Sequence, residues 1–231
     1  GGAGQRYAEW RSGRGYPDGG GVGDDAYVVD QSGDVVIEAA GEGTADKVTS
    51  WVSYTLGNNV ENLVLQTGAT ALNGTGNALV NRITGNAGNN VFAGLGGNDI
   101  LTGGAGDDTY VFGRGDGADT VKDLDATTGN LDTLSFLAGI DHDQLWFRQS
   151  GNNLEVKVIG TTDRVVISNW YLGADNQVEE IRSGDGMTLM ASEVANLVSA
   201  MASMSAPAAG QTTLNATQQA ALEAVFVANW S

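Results

Sequence analysis

Cysteine is absent from this 231-residue sequence, and proline (2 residues) and histidine (1 residue) are scarce. Without cysteine the chain forms no disulfide and has no thiol chemistry, so something else must stabilise its fold. No apolar run approaches the ~20 residues of a membrane-spanning helix, and the first residues lack the pattern of a signal peptide. The sequence has no H-E-x-x-H, G-x-S-x-G or Walker motif. Its one histidine, His142, lies between two aspartates and is interpreted as a surface residue, so we expect no enzymatic activity.

Basic residues are also few. The sequence has 11 Lys and Arg and 28 Asp and Glu, which gives a formal net charge of -17. A chain this acidic is repelled by nucleic acid and by anionic membranes. We therefore predict no nucleic-acid partner, and membrane contact only through regions upstream of this sequence. Cations are the expected partners, since self-repulsion opposes a compact state unless they neutralise it.

Glycine, with 35 residues, is abundant and opens each of four consecutive nine-residue blocks between Gly76 and Val111. The blocks read GNALVNRIT, GNAGNNVFA, GLGGNDILT and GGAGDDTYV. Their sixth places are Asn81, Asn90, Asp99 and Asp108, and their eighth places are Ile83, Phe92, Leu101 and Tyr110. The first six residues of a block favour a turn. The last three favour a short strand whose middle side chain points inward.

Two such blocks make one coil, so turns on the same edge recur every second block. This spacing stacks Asn81 on Asp99 and Asn90 on Asp108. Stacked carboxylates repel each other unless a cation lies between them, and a hard cation such as Ca²⁺ takes six to eight oxygens. We predict a hard cation bound by the sixth-place side chains and by backbone carbonyls of the first and third places; the family resemblance described below implies that this cation is calcium. The predicted carbonyl ligands belong to Gly85, Ala87, Gly94, Gly96, Gly103 and Ala105.

Further acidic residues fall in or near the same pattern. GGVGDDAYV, at residues 20–28, fits the block and makes Asp25 a predicted ligand. After Asp108 the phase slips, and Asp116 or Asp119 is expected to take the next place on the edge of Asp99. Four additional candidates are Glu42, Asp46, Asp123 and Asp125. The alternative for each acidic residue is a solvated surface carboxylate.

These blocks resemble the G-G-x-G-x-D-x-U-x repeat of RTX proteins, a calcium-binding nonapeptide. GRGDGADTV, at residues 113–121, is similar to the segment that ends the roll in that family and supports Asp116 and Asp119 as ligands. DQLWF, GNNLEV and ISNWY resemble the haemolysin-type calcium-binding-related domain that closes the roll. The ending VFVANWS is similar to that of adenylate-cyclase-type toxins, whose extreme C-terminus carries a type I secretion signal. The resemblance implies a secreted, monomeric, calcium-dependent folding and export module that works with the type I secretion machinery.

The expected fold is all-β, a parallel β-roll followed by an antiparallel β cap with short C-terminal helices. Alternation in LEVKV predicts a cap strand, and a helix is predicted from about Ala191, with a docked helix or the secretion signal from Leu214 to Trp230. Four earlier runs are predicted as irregular rungs: Tyr27–Val29, Val35–Ile37, Val52–Leu56 and Leu63–Leu65. The expected domains are an irregular segment (1–19), the roll (20–123), the cap (124–204), and a linker with the signal (205–231).

Two alternatives remain open. The cap surface could bind a receptor, as in an adhesin, and exposed aromatic residues around Trp146 and Trp170 would favour that function. Gln5–Asp18 carries a local excess of arginine, but a one-base shift of reading frame can turn part of it into a further repeat. We assign no function to that segment. We expect the chain to be the C-terminal part of a larger secreted protein whose activity lies upstream.

Overall fold

The computed structural model describes residues 7–8, 22–66, 68 and 70–231. Its strands, in chain order, are β1 (Tyr7–Ala8), β2 (Ala26–Val29), β3 (Lys47–Ser50), β4 (Tyr54–Thr55), β5 (Asn62–Leu65), β6 (Asn73–Thr75), β7 (Arg82–Thr84), β8 (Val91–Ala93), β9 (Ile100–Thr102), β10 (Thr109–Phe112), β11 (Ala118–Lys122), β12 (Thr133–Phe136), β13 (Leu145–Ser150), β14 (Asn153–Val158), β15 (Arg164–Ile167), β16 (Glu180–Arg182) and β17 (Thr188–Met190). Two α-helices follow, α1 (Ala191–Ala202) and α2 (Ala216–Asn229). Apart from β1, the reading-frame segment Gln5–Asp18 lies outside the described residues, as do Gly20 and Gly21.

The strands form two sheets that run along the molecule. One has the order β1-β2-β3-β5-β7-β9-β11-β15-β14-β13, and the other β17-β16-β12-β10-β8-β6-β4. Within the blocks, β7 pairs with β9 and β8 with β10, both in parallel, which aligns Ile83 with Leu101 and Phe92 with Tyr110. Each coil therefore contains two blocks, one strand in each sheet, as predicted.

The core of the roll is a single layer of side chains between the two sheets. All four eighth-place residues are at most 2% exposed. The rings of Phe92 and Tyr110 stack with their centroids 5.5 Å apart. Gly74 belongs to this layer, because a Cβ there would lie 2.9 Å from a methyl group of Ile83. So thin a core buries little apolar surface per residue, and the turns must contribute to stability.

The region before Gly76 continues the roll with longer turns. β2, β3 and β5 pair in parallel and lead directly into β7. β2 and β5 overlap predicted runs and β4 is the centre of the run Val52–Leu56, whereas β3 was not predicted. The predicted run Val35–Ile37 is not a strand in the described backbone. Its central residue, Val36, is nevertheless 4% exposed and belongs to the hydrophobic core.

The cap is joined to the roll more closely than the sequence indicated. β12, β15 and β16 were expected in an antiparallel unit, but they pair in parallel with β10, β11 and β12 and so add rungs to both sheets. Antiparallel pairing is found in β13-β14-β15 and in β16-β17. A two-residue turn, Gly151 and Asn152, connects β13 to β14. Each added rung covers the open end of the one before it.

The two helices close the far end. α1 buries Val194, Leu197 and Met201, and α2 begins with a capping box formed by Asn215 and Gln218. Trp230 is buried and follows α2, while Ser231 exchanges two backbone hydrogen bonds with Thr188 of β17. Neither helix is long and apolar enough to cross a bilayer, and no other helix in the described part of the chain is.

His142 is less exposed than predicted. Its Nδ1 lies 2.7 Å from Asp185 Oδ2, and the side chain of His142 is 28% exposed. The reason is the docking of α2, which brings the rings of Phe226 and Trp230 to centroid distances of 5.6 and 5.9 Å from the imidazole.

Candidate metal centres

A ladder of hydrogen bonds runs along one edge of the roll, from the residues that precede β7 and β9 to the beginning of β11. The Asn81 N–H donates to Asp99 Oδ1 at 2.7 Å, and the Asp99 N–H donates to Asp119 Oδ1 at 2.9 Å. Each sixth-place carboxylate thus accepts from the backbone of the rung before it. The structure brings Asn81, Asp99 and Asp119 together. It also shows that Asp119, rather than Asp116, continues this ladder.

The opposite edge carries the same arrangement. The Asn90 N–H donates to Asp108 Oδ1, the Asp108 N–H to Asp132 Oδ1 and the Asp132 N–H to Glu179 Oε2, each at 2.7 Å. Asp132 and Glu179 were not among the candidate ligands. Both precede a buried residue by two positions, Leu134 and Ile181, which is the spacing of the sixth and eighth places in a block. A search of the sequence for an acidic residue two positions before an apolar one, without the nine-residue period, would have found both.

A shorter ladder precedes β2, β3 and β5. The Asp25 N–H donates to Asp46 Oδ1 at 2.7 Å, and the Asp46 N–H donates to Glu61 Oε2 at 2.9 Å. Asp25 and Asp46 were candidates, whereas Glu61 was not. Near the far end of the same edge, the Gly115 N–H donates to Asp163 Oδ2 at 2.8 Å.

Several of these carboxylates use only one of their two oxygens. The other oxygen is buried and has no hydrogen-bond partner among the described residues. The residues concerned are Asp25, Asp46, Asp99, Asp108, Asp119 and Asp123. A buried, unsatisfied carboxylate oxygen is costly. A donor set made only of oxygens and carrying several negative charges suits a hard divalent cation such as Ca²⁺.

The pKa values of these carboxyl groups reflect the same cost of burying a negative charge. Burial raises the pKa of Asp99 to about 6, although the hydrogen bond from the Asn81 N–H opposes the shift. Burial likewise raises the pKa of Asp108 and of Asp119 to about 7, and nearby carboxylates add to both shifts. Burial and the adjacent Asp132 also raise the pKa of Asp123. Without a cation, these groups favour protons.

Asn81 and Asn90 differ from the aspartates, because both polar atoms of each side-chain amide form hydrogen bonds. Their Nδ2 groups donate to carbonyls of the preceding rung, from Asn81 to Val60 O at 3.1 Å and from Asn90 to Leu72 O at 2.7 Å. Their Oδ1 atoms accept from the N–H groups of their own turns, at 2.7 and 3.0 Å. An asparagine amide at the sixth place thus satisfies its polar atoms by hydrogen bonds alone, whereas an aspartate at that place retains an oxygen without a partner.

The first-place glycines bring backbone carbonyls close to the ladders. A Cβ on Gly76 would lie 2.4 Å from Gly94 O, and one on Gly85 would lie 2.3 Å from Gly103 O. These contacts explain why the first place is glycine. Gly96, Ala87 and Ala105 lie further along the turns, and their carbonyls remain predicted ligands.

The remaining candidates accept hydrogen bonds from backbone N–H groups. Asp116 is half-buried and accepts from the Gly113 N–H at 2.6 Å. Asp125 accepts from the N–H groups of Gly106 at 3.1 Å and Thr127 at 2.8 Å. Glu42 is half-buried and accepts from the Ala39 N–H at 3.3 Å.

The fold and these donor sets define a calcium-binding β-roll. The model of the RTX calcium-binding nonapeptide repeat matches residues 75–110 and 84–121. The model of the haemolysin-type calcium binding protein related domain matches residues 153–192. The chain therefore contains RTX calcium-binding nonapeptide repeats and a haemolysin-type calcium binding protein related domain, and its repeats bind Ca²⁺.

Proposed function

We propose that this chain is a calcium-dependent folding module for type I secretion and that it acts outside the cell as part of a larger secreted protein. The observation that carries the proposal is the set of buried carboxylate oxygens without a hydrogen-bond partner in the described residues, stacked between successive turns. Calcium supplies the positive charge that such a stack needs.

The ligands that we propose combine side chains and backbone. Asp99 with Asp119 on one edge, and Asp108 on the other, supply the central carboxylates. Carbonyls of the glycine-rich turns complete the shells. The full proposed set is Asp25, Asn81, Gly85, Ala87, Asn90, Gly94, Gly96, Asp99, Gly103, Ala105, Asp108, Asp116 and Asp119.

Calcium binding and folding are coupled in this proposal. Glycine-rich turns have a high entropic cost of ordering, and the single-layer core offers limited compensation. When a site exists only in the folded state, its binding free energy becomes folding free energy. Extracellular calcium modules bind in the range of ~10⁻⁴ to 10⁻³ M. The chain would therefore stay loose in the cytosol and become compact outside, which suits the export of an unfolded chain.

We further propose that the C-terminal segment contains the secretion signal. In the folded chain α2 buries Leu222 and Phe226, and Trp230 after it is 4% exposed. The export machinery would consequently recognise this segment before it docks on the cap. A monomer satisfies every requirement of this function.

The adhesin alternative depended on exposed aromatic residues in the cap. Trp146 is 5% exposed and Trp170 is 3% exposed, so both contribute to packing. Their burial supports a cap whose role is to close the end of the roll.

A calcium titration followed by far-UV circular dichroism tests the folding proposal, with magnesium as the control. We expect a cooperative increase in β structure with calcium and little change with magnesium, which prefers a smaller, octahedral shell. A chain that is already β-rich in chelator would contradict the proposal. Export is tested separately by comparing secretion of the full chain with that of a chain ending at Gly210.

A further inference from the structure

Two groups of three buried carboxylates stand out among the described residues. The N-terminal cluster contains Asp25, Glu38 and Asp46, and the C-terminal cluster contains Asp108, Asp123 and Asp132. In each cluster, one oxygen from every member lies within 4.8 Å of the others. Five of these six residues lie outside the segments that match the nonapeptide repeat.

The chain builds both clusters in the same way. The first member is a sixth-place aspartate, Asp25 or Asp108. The third is its neighbour on the same edge, Asp46 or Asp132, which accepts the first member's N–H at 2.7 Å. The intervening residue opens the longer turn that leads to the third member.

In the C-terminal cluster this opening residue takes a place that is glycine in the blocks. The Gly85 N–H donates to Thr102 O, immediately before Gly103, and the Gly103 N–H donates to Lys122 O, immediately before Asp123. Asp123 therefore occupies the first place of the next turn. A carboxylate has replaced glycine where the turn is longer than a block.

A tyrosine contacts the second member of each cluster. Tyr27 and Tyr110 are eighth-place residues, and their hydroxyl groups donate to the carboxylates of Glu38 and Asp123, the latter at 3.0 Å. The other eighth places have no hydroxyl group, since they are Ile83, Phe92 and Leu101. The polar core residue and the extra acid thus occur together.

Both clusters keep space and unused oxygens at their centres. Asp25 and Asp46 are 4% and 0% exposed, and Asp108 and Asp123 are 0% and 2% exposed. Each of the four has an Oδ2 with no hydrogen-bond partner in the part of the chain that is described.

Glycines leave the space beside these oxygens. A Cβ on Gly43 would lie 2.2 Å from Asp46 Oδ2, and a Cβ on Gly103 would lie 2.4 Å from Asp108 Oδ2. Three carboxylates around such a space require positive charge.

We propose that each cluster binds one calcium ion through three side-chain carboxylates, so that the sites of Asp25 and Asp108 each have more charged ligands than the other turn sites. Any other turn site takes one or two carboxylates and relies on carbonyls, whereas each cluster supplies three formal negative charges. Since the number of charged ligands tunes calcium affinity, these two sites fill at lower calcium concentration than the other turn sites. The proposal requires calcium binding but neither export nor calcium-driven folding.

The first experiment counts bound ions in the full chain by equilibrium dialysis at increasing calcium concentration. Glu38→Gln and Asp123→Asn remove one charge from each cluster with little change of shape. Asp30→Asn and Asp175→Asn make the same charge change at exposed positions and serve as controls. We expect each cluster variant to lose one ion from the tightest class and each control to lose none. Unchanged counts in folded cluster variants would overturn the proposal.

A second experiment keeps all six carboxylates and uses Tb³⁺ as the probe. A tyrosine ring beside a bound Tb³⁺ transfers excitation to it, so Tyr27→Phe and Tyr110→Phe should each remove part of the tyrosine-excited emission. Tyr171→Phe, in the cap, is the control. This measurement decides the question if a carboxylate variant fails to fold, because emission unchanged by both substitutions would overturn the two sites.

The outcomes also separate this proposal from the folding module. A chain that gains β structure with calcium but shows neither effect would retain the proposed function and lose these two sites. A chain that is β-rich in chelator but shows both effects would retain the sites and lose the proposed function.

Discussion

Two consecutive coils of the roll have almost the same backbone and different polar chemistry. The asparagine coil, residues 76–93, has Asn81 and Asn90 at its sixth places, and the aspartate coil, residues 94–111, has Asp99 and Asp108. Their strands align in parallel, and their eighth-place side chains are buried to the same degree. The repeat therefore specifies the coil irrespective of which residue fills the sixth place.

The difference lies in how each coil satisfies its buried polar atoms. In Asn81 and Asn90 the Nδ2 group donates to a carbonyl of the preceding rung, and Oδ1 accepts from an N–H group of the same turn. Asp99 and Asp108 each retain an Oδ2 without a hydrogen-bond partner in the described chain. The amide of an asparagine has hydrogen-bond partners without a cation, whereas a buried carboxylate depends on one. Two coils of the same fold can thus differ in how strongly they depend on calcium.

The largest expected effect would destabilise both coils together. Phe92→Ala removes a ring that stacks on Tyr110 and lies between the two coils in the core. We expect a loss of about 3 to 5 kcal/mol in the free energy of unfolding, as for other buried Phe to Ala changes. Denaturant unfolding in saturating calcium measures it. Val91→Ala, at a neighbouring residue that is 39% exposed, should have little effect and is the control.

The next largest effect is expected from substitutions that make the aspartate coil resemble the asparagine coil. In Asp99→Asn combined with Asp108→Asn, the Oδ1 acceptors remain but two buried charges are removed. If each site contributes ~1.4 kcal/mol at calcium ten times its dissociation constant, the calcium-dependent part of the unfolding free energy should fall by about twice that. The measurement compares unfolding in calcium with unfolding in chelator. An undiminished difference would show that these aspartates do not bind the ion.

The reverse exchange should produce a smaller effect of opposite sign. Asn90→Asp loses the hydrogen bond to Leu72 O and adds a carboxylate next to Asp108. We expect lower stability in chelator and a calcium-dependent gain larger by ~1.4 kcal/mol under the same tenfold condition. Asn89→Asp, at an exposed position of the same turn, is the matched control. Equal calcium dependence in the two variants would contradict the proposed role of the sixth place.

The smallest effect is a pH dependence confined to the metal-free chain. Burial raises the pKa of Asp99 to about 6 and of Asp108 and Asp119 to about 7. An unfolded aspartate has a pKa of about 3.9, so the folded chain binds more protons between these values. The stability contributed by these groups is fully present below about pH 4 and is lost as the pH rises to about 7.

Circular dichroism in chelator should consequently show more β structure at pH 5 than at pH 8. The double variant with asparagine at positions 99 and 108 should show a weaker dependence, because Asp119 alone of the three would remain. A metal-free chain that gains structure as the pH rises would contradict the assignment of these buried acids.

Much of the roll could be predicted from the sequence, since its period is local. Glycine at the first place and an apolar residue at the eighth indicated turn, strand and inward side chain, and the structure confirms them at Ile83, Phe92, Leu101 and Tyr110. The two-block coil followed from the spacing alone. Asp132 and Glu179 were missed because the turns before them are longer, so the nonapeptide phase no longer pointed to them.

The sequence by itself determined the oxygen-rich turns, the absence of disulfides and the acidity that requires a cation, because each is a property of composition or of short spacing. Tertiary structure decided which acids face one another. It brought Glu38 beside Asp25 and Asp123 beside Asp108, and it placed three strands of the cap in parallel with the roll. The physical reason is that stacking is set by pairing between strands, and variable turn lengths break any fixed relation between sequence separation and contact across rungs.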